Sequence, residues 1–163
     1  MSIAIAPIAA CDVESFRACL DAVAREERYL ALLEAPPLEN MRQFVVTNMA
    51  NGVVQLVAKD GDTIVGWCDI MPGWHHTLQH VGSLGMGLLP AYRGQGLGAR
   101  LLDDCIERAR QAGITRVELE AREDNHAALR LYGRFGFEVE GTKRRGMRVH
   151  GKYFDTIAMS LLL

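Results

Sequence analysis

The sequence predicts an α/β (α+β) fold in which a mixed, mostly antiparallel central sheet of about seven strands is flanked by about four helices. Apolar residues alternate or run continuously in the segments predicted as strands, and they recur at helical spacing in the others. The segments follow the order β-α-α-β-β-β-α-β-α-β-β. With 163 residues, 49% of them hydrophobic and 23% charged, the chain is predicted to form a single domain over residues 1–163.

The first third of the chain predicts one strand and two helices. Residues 3–8 alternate as in a strand, and Asp12 is suited to cap the helix that follows. The Pro36-Pro37 pair ends that region. A second helix is therefore predicted from Pro37 or Leu38 onward, with Phe44 on its apolar side.

The middle third predicts three strands and a long helix. Residues 53–59 and 63–71 are strands joined by a tight Asp-Gly-Asp turn, and residues 81–89 form a glycine-rich strand. Apolar residues at helical spacing then extend from about Gly96 to Ala112. The glycine that follows this segment suits a left-handed helix end.

The last third predicts a strand, a short helix and a closing strand pair. Residues 117–121 form the strand, and Asp124 or Asn125 caps the helix. Residues 137–140 and 153–162 form the closing pair. A connection rich in lysine and arginine separates the two strands, and it is predicted to be a solvated surface.

The overall charge excludes some partners. Eighteen basic against 20 acidic residues give a formal charge of −2, so no global attraction draws the chain to nucleic acid. No apolar run reaches the roughly 18 residues that span a membrane. Four cysteines without a C-x-x-C pair favour a reduced, cytoplasmic setting.

The most informative segment is the glycine-rich turn at residues 90–102, Pro-Ala-Tyr-Arg-Gly-Gln-Gly-Leu-Gly-Ala-Arg-Leu-Leu. Glycines at the start of a helix let successive N–H groups point at a phosphate or pyrophosphate, although a turn without any ligand has the same appearance. A dinucleotide fingerprint formally matches Gly94-x-Gly96-x-x-Ala99. Pro90-Ala91-Tyr92 intervenes between the preceding strand and this turn, and too few residues follow the match for a NAD-binding domain.

Two motifs together resemble a known family. Arg93-x-x-Gly96-x-Gly98 is similar to the pyrophosphate-binding signature of the GNAT superfamily, the acyl-CoA-dependent N-acetyltransferases. The second motif of that superfamily is similar to residues 125–137, with Asn125, Ala128, Leu131-Tyr132 and Phe135-Gly136-Phe137 in register. The end of the chain resembles the small-amine and amino-acid branch, so the resemblance covers roughly residues 80–163.

The resemblance implies acetyl-CoA as co-substrate, no metal, and direct transfer in a ternary complex. It implies that Tyr132 is the general acid, because a phenol stays protonated at neutral pH. It further implies a cofactor-binding set that carries the pantetheine arm and the pyrophosphate: Met86, Gly87, Leu88, Arg93, Gly94, Gln95, Gly96, Leu97, Gly98, Ala99, Asn125 and Tyr132. In this set, an N–H of Met86 or Leu88 would polarise the thioester carbonyl.

The general base and the acceptor site are less determined. Many relatives carry an acidic residue where this chain has Ser83, so His80 is the leading alternative base, followed by Glu118 and Glu120. Contacts with the acceptor are expected from three aromatic side chains: Tyr29, Trp74 and His75. A zinc site on the histidines of the loop before His80 is disfavoured, because no acidic or thiol ligand accompanies them.

The sequence therefore predicts an N-acetyltransferase acting on a primary amine of a small metabolite, such as an amino acid or an antibiotic-like amine. A protein N-terminal or lysine acetyltransferase and a low-turnover acyl-CoA sensor are the alternatives. A homodimer is expected from the resemblance and from the apolar end at residues 157–163. Neither nucleic acid nor membrane is an expected partner.

Overall fold

A seven-stranded sheet organises the molecule, whose residues 2–163 are described by a computed structural model. The strands lie in the order β1-β2-β3-β4-β5-β7-β6, and all neighbours are antiparallel except β4 and β5. The predicted fold class is confirmed. The strands are β1 (Ala4–Pro7), β2 (Val54–Asp60), β3 (Thr63–Pro72), β4 (Val81–Leu88), β5 (Arg116–Arg122), β6 (Glu138–Val149) and β7 (Lys152–Leu162).

Helices cover both faces of this sheet. They are α1 (Val13–Ala24), α2 (Leu38–Ala50), α3 (Leu97–Gln111) and α4 (His126–Arg134). Alternation along β3 directs Trp67 into a core with α1 and α2, and directs Cys68 into a second core with α3 and α4. Each face of the sheet therefore has its own packed layer. No helix within residues 2–163 is long and apolar enough to cross a membrane.

Local signals are mostly confirmed at the ends of the helices. Asn125 caps α4, accepting a hydrogen bond from the Ala128 N–H at 3.3 Å. Gly113 follows α3 with φ +86°, the left-handed conformation expected there. Asp12 precedes α1, but its carboxylate accepts from the Ala9 N–H and from Lys59 and does not cap the helix.

One expectation about packing was wrong, since Phe44, predicted on the apolar side of α2, is 41% exposed. The basic connection after residue 140 is a solvated surface, as predicted, but the strands are longer than expected: β6 continues to Val149 and turns tightly into β7. Ion pairs and cation–π contacts stabilise this long hairpin: Lys143 bonds to Glu120, and Arg145 and Arg148 lie over the Tyr153 ring.

Candidate active site

The sheet opens between β4 and β5. The two strands pair only where Val81–Ser83 meets Arg116–Glu118, and β4 then diverges while staying paired with β3. Since the Leu89 N–H bonds to Val65, the alternation of an antiparallel ladder turns Gly85 and Gly87 toward β3. Met86 and Leu88 therefore direct their N–H and C=O groups into the gap.

The glycine-rich turn presents the N-terminus of α3 to the same gap. Gly94 and Gly96 have φ +71° and +80°, conformations that disfavour any side chain. Gly96 is the N-cap of α3 and supplies no side-chain acceptor, so the first N–H groups of the helix stay free for a ligand. Free N–H groups at the positive end of a helix suit a pyrophosphate.

These features line one cleft of about 580 Å³, a size that suits a small-molecule site. It lies between the gap, the start of α3, α4 and the chain just after α1. Eleven of the residues predicted for the site line it: Tyr29, Met86, Gly87, Leu88, Arg93, Gly94, Gly96, Gly98, Ala99, Asn125 and Tyr132.

Two of the predicted cofactor-binding residues do not line the cleft with their side chains. Leu97 is buried in the core beneath α3. The Gln95 amide folds back and donates to the Ala91 carbonyl at 2.8 Å. Any contribution of these two residues to ligand binding is therefore made by their backbone.

Tyr132 lies where the cleft meets the core below α4. It is 8% exposed, and its ring packs against Phe137 with centroids 5.7 Å apart. Burial, with a smaller effect from the Cys68 thiol, raises the pKa of Tyr132 well above its ordinary value. Within residues 2–163 its hydroxyl has no hydrogen-bond partner, so the phenol keeps its proton and can donate it to a ligand.

Arg93 connects the two sides of the cleft. Its guanidinium binds both oxygens of Glu26, at 2.9 and 2.5 Å, and its Nε donates to the Leu88 carbonyl at 2.9 Å. The hydrogen bonds from Arg93 lower the pKa of Glu26, which stays ionised. This residue, expected near the pyrophosphate, thus also fixes the chain after α1 against the end of β4.

Arg122, which no sequence pattern indicated, stacks beside two residues that line the cleft, Tyr29 and Asp124. Arg122 is bidentate to Asp124 at 2.6 and 2.8 Å and lowers the pKa of that carboxyl. Its guanidinium lies 3.8 Å from the Phe154 ring centroid and 4.9 Å from that of Tyr29. Next to Tyr29, Glu27 contacts His150 at the tip of the β6–β7 hairpin.

Four predicted residues lie away from the cleft. Trp74 is 98% exposed and His75 is also exposed, both in the loop between β3 and β4. His80 precedes β4, and at about 3.3 Å per residue it is roughly 20 Å along the strand from Met86. Ser83 is exposed and lines a separate surface cavity. The structure therefore does not bring these side chains to the gap.

The other two candidates for the base, Glu118 and Glu120, form ion pairs, and the histidines of the loop before β4 form no metal-binding group within residues 2–163. Glu118 is paired with Arg116, and Glu120 with Lys143. Within the part of the chain that the structure describes, no three His, Cys, Asp or Glu side chains form a group able to hold a metal ion. No sequence pattern indicated Arg28, which lines the cleft, or Asp69, which lies in β3 opposite Gly85.

Comparison with known proteins gives consistent matches. Residues 17–137 match the model of the acetyltransferase (GNAT) family. An L-amino acid N-acetyltransferase, AaaT of Escherichia coli, is 31% identical over 140 residues, 84% of this chain and 85% of that protein. The N-alpha-acetyltransferase RimI of Mycobacterium tuberculosis is 39% identical over 99 residues, and the match spans only 58% of either chain. A GNAT-family acetyltransferase from Streptococcus pneumoniae superposes with a TM-score of 0.93 at 28% identity, over 99% of this chain and 100% of that one.

Proposed function

The chain belongs to the acetyltransferase (GNAT) family, and from that membership we propose that it transfers the acetyl group of acetyl-CoA to the primary amine of a small, amino-acid-like molecule. The family resemblance of the two sequence motifs is thereby confirmed. The observation that carries the proposal is the convergence of three features on one cleft. These are the free edge of β4, the uncapped start of α3 and the unpartnered Tyr132 hydroxyl.

The geometry supports a definite orientation of acetyl-CoA. The pyrophosphate would accept from the N–H groups at the start of α3, where the positive end of the helix favours an anion. The pantetheine arm would lie along the free edge of β4, where Met86 offers an N–H group to the thioester carbonyl. Leu88 also directs an N–H group into the gap, while its carbonyl accepts from Arg93, so either Met86 or Leu88 could be the oxyanion donor.

The Tyr132 hydroxyl would donate a hydrogen bond to the departing sulfur. When the amine attacks, the N–C bond forms and the C–S bond breaks, and the departing sulfur accepts a hydrogen bond from the Tyr132 hydroxyl and takes its proton from solvent. The nitrogen loses two protons in all, so the net reaction releases one proton. Because a thiol is more acidic than a phenol, Tyr132 acts mainly by hydrogen-bonding the sulfur as its charge develops.

Contacts at one end of the cleft support a small acceptor. The contact of Tyr29 with Arg122, a residue of β5, and that of Glu27 with His150 connect the chain after α1 to β5 and to the β6–β7 hairpin. Arg28, between Glu27 and Tyr29, lines the cleft and forms no hydrogen bond or ion pair within residues 2–163, although its charge lowers the pKa of Glu26. A cation in the lining of this cleft favours an amine that also carries a carboxylate, as an amino acid does.

Acetylation of a protein N-terminus is the second candidate. The relative from Mycobacterium tuberculosis carries that activity in its name, and it is 39% identical over the matched part. Only the end of a peptide, and not its middle, would pass the contacts between the chain after α1 and the hairpin. A peptide substrate would therefore have to present its terminal amine.

We further propose that the protein is a homodimer. Val139 and Leu162 are 62% and 74% exposed, near the start of β6 and the end of β7, which supports an apolar contact with a second copy. A cytoplasmic location stays a prediction from the cysteine pattern.

Release of CoA thiol from acetyl-CoA tests the activity, with amino acids, polyamines, aminoglycosides and short peptides as acceptors. We expect turnover with free amino acids or close analogues, and a loss of at least about ten-fold in kcat for Tyr132→Phe. The matched control is Tyr153→Phe, which removes a hydroxyl from the exposed hairpin and is expected to leave kcat unchanged.

Three outcomes discriminate between the candidates. Turnover confined to peptides would replace the small-amine proposal by N-terminal acetylation. Binding of acetyl-CoA, seen as a higher Tm, without turnover of any acceptor would indicate an acyl-CoA sensor. A protein whose Tm does not respond to acetyl-CoA would contradict the proposal altogether.

A further inference from the structure

Asp69 is a charged residue in the middle of an otherwise apolar strand. In β3 it lies opposite Gln55 of β2 on one side and Gly85 of β4 on the other. Its carboxylate leans over Gly85, because a Cβ placed on that glycine would lie 3.1 Å from Asp69 Oδ1. The absence of a side chain at Gly85 thus leaves room for the carboxylate opposite the residue that precedes Met86, although Asp69 is not itself one of the residues that line the cleft.

The surroundings of Asp69 leave its carboxylate without a counter-charge. Within residues 2–163 no hydrogen bond or charged partner acts on it, whereas the opposite Gln55 has a buried Nε2 that also lacks a partner. On the same face of the sheet, β2 contributes the neutral Gln55 amide, β4 contributes glycine, and the core of α1 and α2 is apolar. Cys68, the neighbouring titratable group, points into the other core. Burial alone raises the pKa of Asp69 to about 7.

The position of Asp69 complements that of Tyr132. Tyr132 approaches the gap from the face of α3 and α4, and Asp69 lies on the face of α1 and α2. An amine attacks a thioester carbonyl roughly perpendicular to its plane, from one of its two faces. An acceptor bound beside Arg28, just after α1, would use the face on the side of α1 and α2, where Asp69 lies.

We propose that Asp69 is the general base of the acetyl transfer, taking a proton from the acceptor ammonium directly or through one water molecule. This inference rests on the proposed function. The proton passes from the nitrogen to the carboxylate, the neutral amine attacks the thioester carbon, and Asp69 releases the proton to solvent after the product forms. Asp69 then supplies the carboxylate that many relatives carry at the position of Ser83.

The test compares wild type and Asp69→Asn across the pH range, measuring kcat at saturating acetyl-CoA and acceptor. Wild-type kcat is expected to fall below about pH 7, where the carboxyl group becomes protonated. At neutral pH the variant is expected to have a kcat about 100-fold lower than wild type, and its pH profile is expected to lack the limb below about pH 7. Its deficit shrinks toward about pH 10, because the ammonium then loses its proton unaided. Asp62→Asn, a surface carboxyl in the β2–β3 turn, is the matched control and keeps wild-type kcat.

The outcomes separate this inference from the proposed function. An active wild type whose Asn variant keeps the same kcat and acidic limb would overturn the inference alone, as would a deficit that stays constant with pH. An inactive wild type would overturn both. If the variant does not fold, as judged by circular dichroism, a carbon-13 titration of Asp69 in the wild type decides. A midpoint below about 5, the ordinary carboxyl range, contradicts the proposal.

Discussion

Tyr132 and Asp69 approach the same gap from opposite faces of the sheet. Both are largely enclosed, neither has a hydrogen-bond partner within residues 2–163, and burial is the main cause of the raised pKa in both. The two environments are thus alike in their physics. They differ in the ordinary pKa of the group that each encloses.

This difference assigns the two groups opposite roles. Burial disfavours a charged side chain, so it moves the pKa of a phenol further from neutrality and the pKa of a carboxyl group into the neutral range. The phenol is then a donor that never ionises at working pH, whereas the carboxyl group exchanges its proton readily. One cause, desolvation, thus provides both an acid and a base.

The largest expected effect comes from removing both groups. Tyr132→Phe/Asp69→Asn is predicted to lower kcat by about 10³–10⁴-fold, the product of two independent losses, because the groups act on different protons. Steady-state CoA release by both single variants and the double variant measures this. A double variant no slower than the slower single variant would show that the two groups act as one unit, which would contradict the assignment to separate faces.

The next effect concerns stability. Because the pKa of Asp69 is raised in the folded state, the folded protein binds this proton more tightly than the unfolded chain, and stability declines as pH rises from about 4 to about 7. Asp69→Asn removes this loss and is predicted to be more stable than wild type by about 4 kcal/mol at pH 8, the free energy of raising the pKa from 3.8 to about 7, or by about 8–16 °C in Tm. At about pH 4 the two proteins are expected to unfold at the same temperature.

Calorimetry across this range checks the stability prediction. Tyr132→Phe is the internal comparison, since its phenol does not ionise between these pH values, and its Tm difference from wild type should stay constant. If the Tm difference between Asp69→Asn and wild type also stayed constant with pH, Asp69 would titrate at its ordinary pKa.

The smallest expected effect is on the KM for the acceptor, which is predicted to change without any change in the KM for acetyl-CoA. Arg28→Gln, on the side of α1, is predicted to raise the KM for amino-acid acceptors about ten-fold by removing a charged partner of the carboxylate. The KM for acetyl-CoA and for polyamines, which lack a carboxylate, should not change. Arg25→Gln is the matched control, because Arg25 is bonded to Asp21 and lies outside the cleft. An equal rise for polyamines would indicate loss of packing and not of charge recognition.

The order of elements and the glycine-rich turn could be predicted because their signals are local. The positive φ at Gly96 and the Asn125 cap each depend on a few neighbouring residues, and the structure shows both. The length of β6 could not be predicted in this way. Its basic residues are stabilised by partners far along the chain, such as Glu120 and Tyr153.

The position of the general base could not be predicted from the sequence, because residues that are near Met86 along the chain can lie at the far end of the same strand. His80 and Ser83 belong to β4, but they lie at the end of the strand that is paired with β5. Asp69 lies on the neighbouring strand, and only the register with Gly85 brings it to the gap. A lone carboxylate in an apolar strand, next to a glycine-rich strand, was the available signal.

Three residue pairs are all that join β4 to β5, and this junction connects the two parts of the sheet. Acetyl-CoA lying along β4 would supply contacts that the two strands lack. Part of its binding free energy would therefore stabilise the association of β1–β4 with β5–β7. Amide hydrogen exchange would report this as protection spreading into β5 and α4, beyond the residues that touch the ligand. In the free enzyme the edge of β4 beyond Ser83 has no strand partner, and bound acetyl-CoA would supply the hydrogen bonds that a partner strand would otherwise make.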